Sequence, residues 1–261
     1  MRRIRVIPVL TMRGGGLVKT VRFGFDQARY IGDPLNTMRL FNDKEVDELA
    51  LLDIGATRRG EPPDLSRIAE MAGECFMPLA YGGGITRLDQ IKAIFQVGVE
   101  KVILNTALFE QPELVTRAAE IFGSQSIVAS IDVKRGLLGK ATVRTRCGRR
   151  RTGLTPLAAA RQAVERGAGE IILNSIDRDG TFQGYDLDLI RAVAAEVPVP
   201  VVALGGASGV EDFLPAVREA AASAVAAGSL FIYQGRHRAV LVNYPRQDLL
   251  RAQLFEPLQT A

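Results

Sequence analysis

Tryptophan is absent, histidine occurs once (His237) and cysteine twice (Cys75 and Cys147) in a chain of 261 residues. Two thiols exclude a disulfide scaffold, and two thiols with one imidazole are too few for a Cys/His zinc cluster. No apolar run approaches the roughly 18 residues that suggest a membrane span. The basic start MRRIRVIPVLTMRGGG carries an apolar stretch too short for a secretory signal and lacks a small-residue cleavage site. Residues 4–10 therefore read as a first strand, and a cytoplasmic protein is expected. Aromatic residues make up only 6% of the chain. None interleaves the basic run Arg144, Arg146, Arg149, Arg150 and Arg151, which reads as a solvated hairpin rather than a nucleic-acid surface. With so little imidazole, carboxylates, lysines or His237 must move any protons near neutral pH. No G-x-x-x-x-G-K-[ST] loop is present, and neither a metal nor a cofactor is expected.

Hydrophobic residues account for 47% of positions and charged ones for 24%, with a net charge of +4. That is enough apolar material for a sizeable core and only a mild preference for anions. Eight short, continuously apolar runs predict strands over 5–10, 48–53, 77–81, 101–104, 126–132, 170–176, 200–204 and 222–227. Helical patterns lie between them over 34–47, 64–74, 86–97, 112–122, 155–166, 187–196 and 209–220. Unbroken rather than alternating hydrophobicity suits a parallel sheet covered on both faces. Eight βα units in this length predict an α/β fold of the (β/α)8 TIM-barrel type. Pro and Gly mark junctions and no linker, so residues 1–261 are expected to form one barrel domain, with 233–261 as a C-terminal helical extension.

The chain also repeats itself at about half its length. MPLAYGGGI resembles VPVVALGGASG, which sets Gly83-Gly84 opposite Gly205-Gly206, 122 residues apart. IRVIPVLTMRGG resembles SIVASIDVKRG, which sets Thr11 opposite Asp132, 121 apart; Lys19 and Lys140, and Asp53 and Asn174, share that separation. A barrel of two fused halves would give this pattern.

In such a barrel, chemistry collects where strands end. The strand ends form a polar, glycine-rich ring. Two phosphate cradles are predicted, Gly82 to Gly84 with Asn105 and Thr106, and Gly180 and Thr181 with Gly205, Gly206, Gly228 and Ser229. Glycine lets backbone N–H groups approach an anion closely. Asp53 and Asn174 belong to the same substrate-binding ring. A symmetric pair of cradles suits a long ligand, anionic at both ends. Asp132 is the candidate general acid or base, with Thr11 at its symmetry-related position. Asp177 either shares the pocket or bonds to loop backbone, and Asp179 reads as a turn residue. Lys19, in a glycine-rich first loop, is expected to close over a phosphate as part of a mobile lid. At the opposite end, Arg5, Glu48, Lys101 and Glu170 begin four strands. They are either a charged plug on the barrel axis or four exposed rim charges. His237 reads as a structural or surface residue, Cys75 as a buried helix-end residue and Cys147 as a loop residue.

IRVIPVL, DELALLDI, YGGGI, VEKVILNTA, FGSQSIVASIDVKR, GAGEIILNSIDRDGTFQGYD and VVALGGASG resemble the HisF family, the cyclase subunits of imidazole glycerol phosphate synthase. The likeness covers residues 4 to 233, and 167–186 is its most diagnostic stretch. It implies a half-repeated barrel that receives ammonia from a HisH-like glutaminase docked below. It further implies an ammonia gate at Arg5, Glu48, Lys101 and Glu170, and two sites for a doubly phosphorylated substrate. In the histidine-pathway enzymes two aspartates act; Asp132 matches one, but Thr11 stands where the other belongs. Threonine has no ionisable proton near neutral pH, so it cannot replace a carboxylate in acid–base catalysis. With ECFMPLAYGGGI, RGGGLVKTVRF and HRAVLVNYP, this departure resembles the WbuZ-type paralogues associated with amidation of surface sugars. The resemblance therefore implies a synthase subunit, a lyase in class, delivering ammonia to a nucleotide-linked sugar during lipopolysaccharide biosynthesis. A separate ATP-dependent amidotransferase would serve as a further partner. The alternatives are a cyclase of histidine biosynthesis, a non-catalytic barrel that conducts ammonia and activates the glutaminase, and a solitary phosphosugar isomerase. Neither nucleic acid nor membrane is an expected partner.

Overall fold

The computed structural model describes residues 4–136 and 139–259. The first three residues of the basic N-terminal motif and the last two of the C-terminal extension lie outside the described residues. Strands β1 (Arg5–Arg13), β2 (Leu49–Asp53), β3 (Leu79–Gly82), β4 (Lys101–Leu104), β5 (Ile127–Arg135), β6 (Glu170–Ser175), β7 (Val201–Leu204) and β8 (Ala224–Ala227) pair in sequence order, each parallel to the next. β8 pairs back onto β1, which closes the barrel. Helices α1 (Pro34–Asn42), α2 (Leu65–Gly73), α3 (Leu88–Gln96), α4 (Pro112–Phe122), α5 (Pro156–Glu165), α6 (Leu187–Ala194) and α7 (Phe213–Arg218) lie between successive strands. The predicted (β/α)8 barrel is the fold observed. No helix among the described residues is long and apolar enough to cross a membrane.

The half-repeat shows in details that hydrophobic pattern alone does not carry. β1 and β5 are each nine residues long and overrun the rim. β1 folds back against Gly16–Lys19 and β5 against Ala141–Thr145, both antiparallel. The expected strand ends at Leu10 and Asp132 are therefore too early. The glycine-rich first loop is structured: Gly16–Lys19 pairs on its other side with Arg29–Gly32 and belongs to a small sheet on the rim. Helix starts repeat as well. Asp33 and Thr155, 122 residues apart, cap helices that each begin with proline. Asp64 and Asp186, at the same separation, accept the N–H of Arg67 and Leu189. A side-chain acceptor there satisfies one of the orphan donors of the first turn.

Side chains alternate between the two faces of a strand. One set faces the helices and forms the larger core, from Leu10, Leu51 and Tyr81 to Phe213 and Phe231. The other fills the barrel with Ile7, Val9, Ala50, Ala80, Ile103, Val128, Ile172, Val202 and Ala226. The same alternation extended one step down reaches Arg5, Glu48, Lys101 and Glu170. One step up, it reaches Thr11, Asn105, Ser130 and Asn174, and a second step on β5 reaches Asp132. Residues 233–259 open on a hairpin pairing Tyr233 and Gln234 with Val240 and Ala239. Three short helical segments follow, Gln247–Leu250, Arg251–Phe255 and Glu256–Gln259.

Candidate functional site

The four charges at the bottom form a closed ring. Arg5 binds Glu48 through one guanidinium nitrogen and Glu170 through the other. Lys101 Nζ lies 2.9 Å from Glu48 Oε1 and 2.9 Å from Glu170 Oε2. Each cation thus touches both carboxylates. Glu48 and Glu170 are 5% and 6% exposed, so the reading as exposed rim charges does not apply. Burial pushes the Glu170 carboxyl up, but Arg5 and Lys101 outweigh it and hold the group below the usual carboxylate range. Alternation explains the ring: these residues stand two positions below the inward-facing Ile7, Ala50, Ile103 and Ile172.

Above the apolar filling, the strand ends surround an open cavity of about 1090 Å³, counted out into solvent. Asp132 stands on its wall. Asn105 Nδ2 donates to Asp132 Oδ2 at 3.2 Å and to the Ser130 carbonyl at 2.9 Å. Burial and the negative charge of Asp179 push the Asp132 carboxyl up to about 7, against the opposing hydrogen bonds of Asn174 and Ser130. A carboxyl in that range can both give and take a proton near neutral pH. Thr11 faces the same cavity, but its hydroxyl donates to the Val18 carbonyl of the adjoining hairpin.

The structure gathers the glycines of both predicted cradles at the mouth. Gly83, Gly84, Asn105 and Thr106 line the main cavity. Gly180, Gly205, Gly206, Gly228 and Ser229 line a smaller one of about 240 Å³, joined to the first at Asp179, Leu204 and Gly228. Two of these glycines are required by the backbone. Gly83 adopts φ +136°, and a Cβ there would lie 2.6 Å from the Asp53 carbonyl. Gly206 adopts φ +109°, and a Cβ there would overlap the Gly184 carbonyl. Gly206→Ala is accordingly expected to cost about 1–3 kcal/mol, measured by urea unfolding, and to weaken inorganic phosphate binding at this cradle. An alanine variant as stable as the parent would contradict the strain.

Several sequence expectations need correction. Asp177 does not line either cavity; its Oδ2 accepts the Arg135 N–H at 2.7 Å and so fastens the overrunning end of β5. Thr181 is turned away too, donating its hydroxyl to the Arg178 carbonyl at 2.6 Å. Asp53 lines the main cavity, yet its Oδ1 accepts the N–H groups of Gly55 and Ala56 at 2.8 and 3.0 Å. It shapes the turn after β2 and presents no donor to a phosphate. Asn174 likewise lines the cavity but directs its amide to Asp132. Lys19 is buried. It is 7% exposed, lines the main cavity and donates to the Val9 carbonyl at 2.6 Å. Burial lowers its ammonium to about 8, while Asp179 pulls the other way.

Asp179, read as a turn residue, lines both cavities. Burial raises its carboxyl to about 6, opposed by Lys19 and by the Phe23 N–H. Phe23, Phe25 and Cys147 on the rim were also missed. Their positions depend on the two hairpins, which strand patterning does not reveal. Burial pushes the Cys147 thiol up to about 11, so it is no nucleophile near neutral pH. The arginine-rich run is the hairpin tip after Ala141–Thr145, where Arg146 and Arg150 both pair with Glu110. His237 is exposed.

The family described as "Histidine biosynthesis protein" matches residues 5–238. The chain is 51% identical over 245 residues to the "Putative imidazole glycerol phosphate synthase subunit hisF2" of Pseudomonas aeruginosa, covering 94% of this chain and 97% of that relative. It is 46% identical to the "Putative imidazole glycerol phosphate synthase subunit HisF" of Leptospira interrogans, over 95% of this chain and 97% of the relative. The "Imidazole glycerol phosphate synthase subunit HisF" of Hyphomonas neptunium is 42% identical over 231 residues, 88% of this chain and 90% of the relative.

Proposed function

The chain belongs to the histidine biosynthesis protein family, and we propose that it is the ammonia-using barrel subunit of an amidotransferase of the imidazole glycerol phosphate synthase type. One observation carries the reading. The same inward-facing rows of side chains join a buried ion-pair ring below to a glycine-lined mouth above. On β6 the row runs Glu170, Ile172, Asn174, and on β4 it runs Lys101, Ile103, Asn105. A glutaminase seated against the ring would release ammonia there. The uncharged molecule would cross the apolar filling and meet a phosphorylated ligand held by the two glycine cradles. Its nitrogen would then add to an electrophilic carbon of that ligand, with Asp132 exchanging the protons that the addition displaces. A cytoplasmic location accords with this role.

Of the two branches weighed from the sequence, the names of the relatives favour cyclisation: all three are called imidazole glycerol phosphate synthase subunits. The surface-sugar branch, with its nucleotide-linked ligand and separate ATP-dependent amidotransferase, draws no support from them. A second reading rests on Thr11. Its hydroxyl is committed to the Val18 carbonyl, which suits a barrel that conducts ammonia and stimulates a glutaminase without transforming a ligand.

One experiment separates these readings. The protein is mixed with the doubly phosphorylated precursor of imidazole glycerol phosphate and either an ammonium salt, or glutamine plus a glutaminase subunit of that synthase. Product is expected from ammonium alone, and from glutamine only when the glutaminase is present. Stimulated glutamine hydrolysis with no product from either nitrogen source would establish the conducting barrel and reject the cyclase.

A further inference from the structure

The internal repeat sets Thr11 opposite Asp132, so the pseudo-twofold mate of the acid–base carboxylate carries no ionisable group. Among the described residues, three carboxylates line the main cavity: Asp53, Asp132 and Asp179. Asp53 is held by the turn that it caps. Asp179 differs in three respects. It sits where the main and the smaller cavity meet. Its own carbonyl accepts the Arg22 N–H at 2.9 Å, which ties it to the segment covering the mouth. Its carboxylate receives the Phe23 N–H and faces the buried Lys19 ammonium, while its charge also reaches Asp132. Asp132 in turn has Asn105, Asn174 and Ser130 as hydrogen-bonding neighbours and no cation among them.

We infer that Asp179 is the second acid–base group of the mouth, supplying from the loop after β6 the carboxylate that position 11 lacks. The inference rests on the proposed addition of ammonia to a phosphorylated ligand. As the nitrogen–carbon bond forms, the ammonia nitrogen sheds a proton to the Asp179 carboxylate. The ligand oxygen that gains the electron pair takes a proton from the Asp132 carboxyl. Asp179 ends protonated and Asp132 ionised, and exchange with solvent at the open mouth restores both. Lys19 beside Asp179 favours its ionised form, whereas Asp132, buried and without a cation, keeps its proton more readily. Two groups with displaced and distinct proton affinities in one site are the usual mark of an acid and base pair.

The test is a rescue. Asp179→Asn is expected to lower kcat for ammonium-driven formation of imidazole glycerol phosphate by about 100-fold, with little change in the KM of the phosphorylated substrate. The acidic limb expected near pH 6 in the wild-type kcat/KM profile should be lost in this variant. Adding Thr11→Asp to this variant should recover about tenfold, because it restores a carboxylate at the symmetry-related position. The same addition to Asp132→Asn should recover nothing. An Asp179→Asn variant that keeps its activity and both pH limbs, or whose loss lies wholly in KM, would overturn the inference while leaving the cyclase reading intact. If the wild type forms no product, the cyclase reading fails. The coupling is then read from carboxyl-carbon NMR titration, where Asp132 should lose its proton at lower pH in Asp179→Asn. An unmoved Asp132 titration would sink the pairing of the two carboxylates.

Discussion

Asp132→Asn is expected to lower kcat by about 10²–10⁴-fold, the usual contribution of a positioned acid or base, and to raise stability at alkaline pH. Both effects come from the same burial. The Asp132 carboxyl is raised to about 7 in the folded chain, against an ordinary value of about 3.9. Because the folded value lies above the unfolded one, ionisation opposes folding. The penalty is absent below about pH 4, grows through the interval up to about 7 and is complete above it, reaching at most about 4 kcal/mol. Asparagine carries no such penalty. The stability difference between variant and wild type, followed by urea unfolding from pH 4 to pH 8, should therefore shift towards the variant. A difference independent of pH would contradict the buried carboxyl, and full activity would contradict its role.

Glu170→Gln attacks the opposite end. It removes one of two carboxylates that together neutralise Arg5 and Lys101, leaving an uncompensated positive charge within the ring. Breaking a buried pair from one side costs about 3–5 kcal/mol, which should appear as a lower urea midpoint. The wild-type contribution has its own pH signature. The Glu170 carboxyl is held below its ordinary range, so its stabilisation is present above about pH 4.3 and is lost as pH falls through the folded value. The variant should lack that loss. Function should divide as well: glutamine-driven turnover with the glutaminase should fall, while ammonium-driven turnover, supplied from the open mouth, should persist. Equal losses from both nitrogen sources would argue against a conducting ring. Glu170→Gln paired with Lys101→Met removes the excess charge and should recover part of the stability.

Much of this architecture was legible because it follows from alternation along strands. Once residues 101–104 and 170–175 are strands with apolar interiors, Lys101 and Glu170 at their starts share a face with Asn105 and Asn174 near their ends. The repeat then predicts two mouths' worth of glycines. What the sequence did not reveal lies where the chain leaves the barrel. The hairpins that extend β1 and β5 depend on pairing between segments, not on periodicity within one, so Lys19 read as part of a loop rather than of a paired strand. Asp177 and Asp179 stand two residues apart in one turn and carry the same side chain. Only the path of that turn decides that Asp177 clasps a backbone N–H while Asp179 faces the cavity. Position 11 was legible as a departure, but the hairpin carbonyl that takes up the Thr11 hydroxyl was not.

The hydrocarbon filling between ring and mouth has a thermodynamic consequence for the whole assembly. Ile7, Val9, Ile103, Val128 and Val202 provide no hydrogen-bonding side chain and no counter-ion, and an ammonium ion entering them would forfeit its hydration. On the proposed function, nitrogen would cross the middle of the molecule without the proton that makes it a cation. One acid equivalent would then stay on the underside for every molecule that ascends, and the partner seated there would have to export it to the solvent before the next could follow.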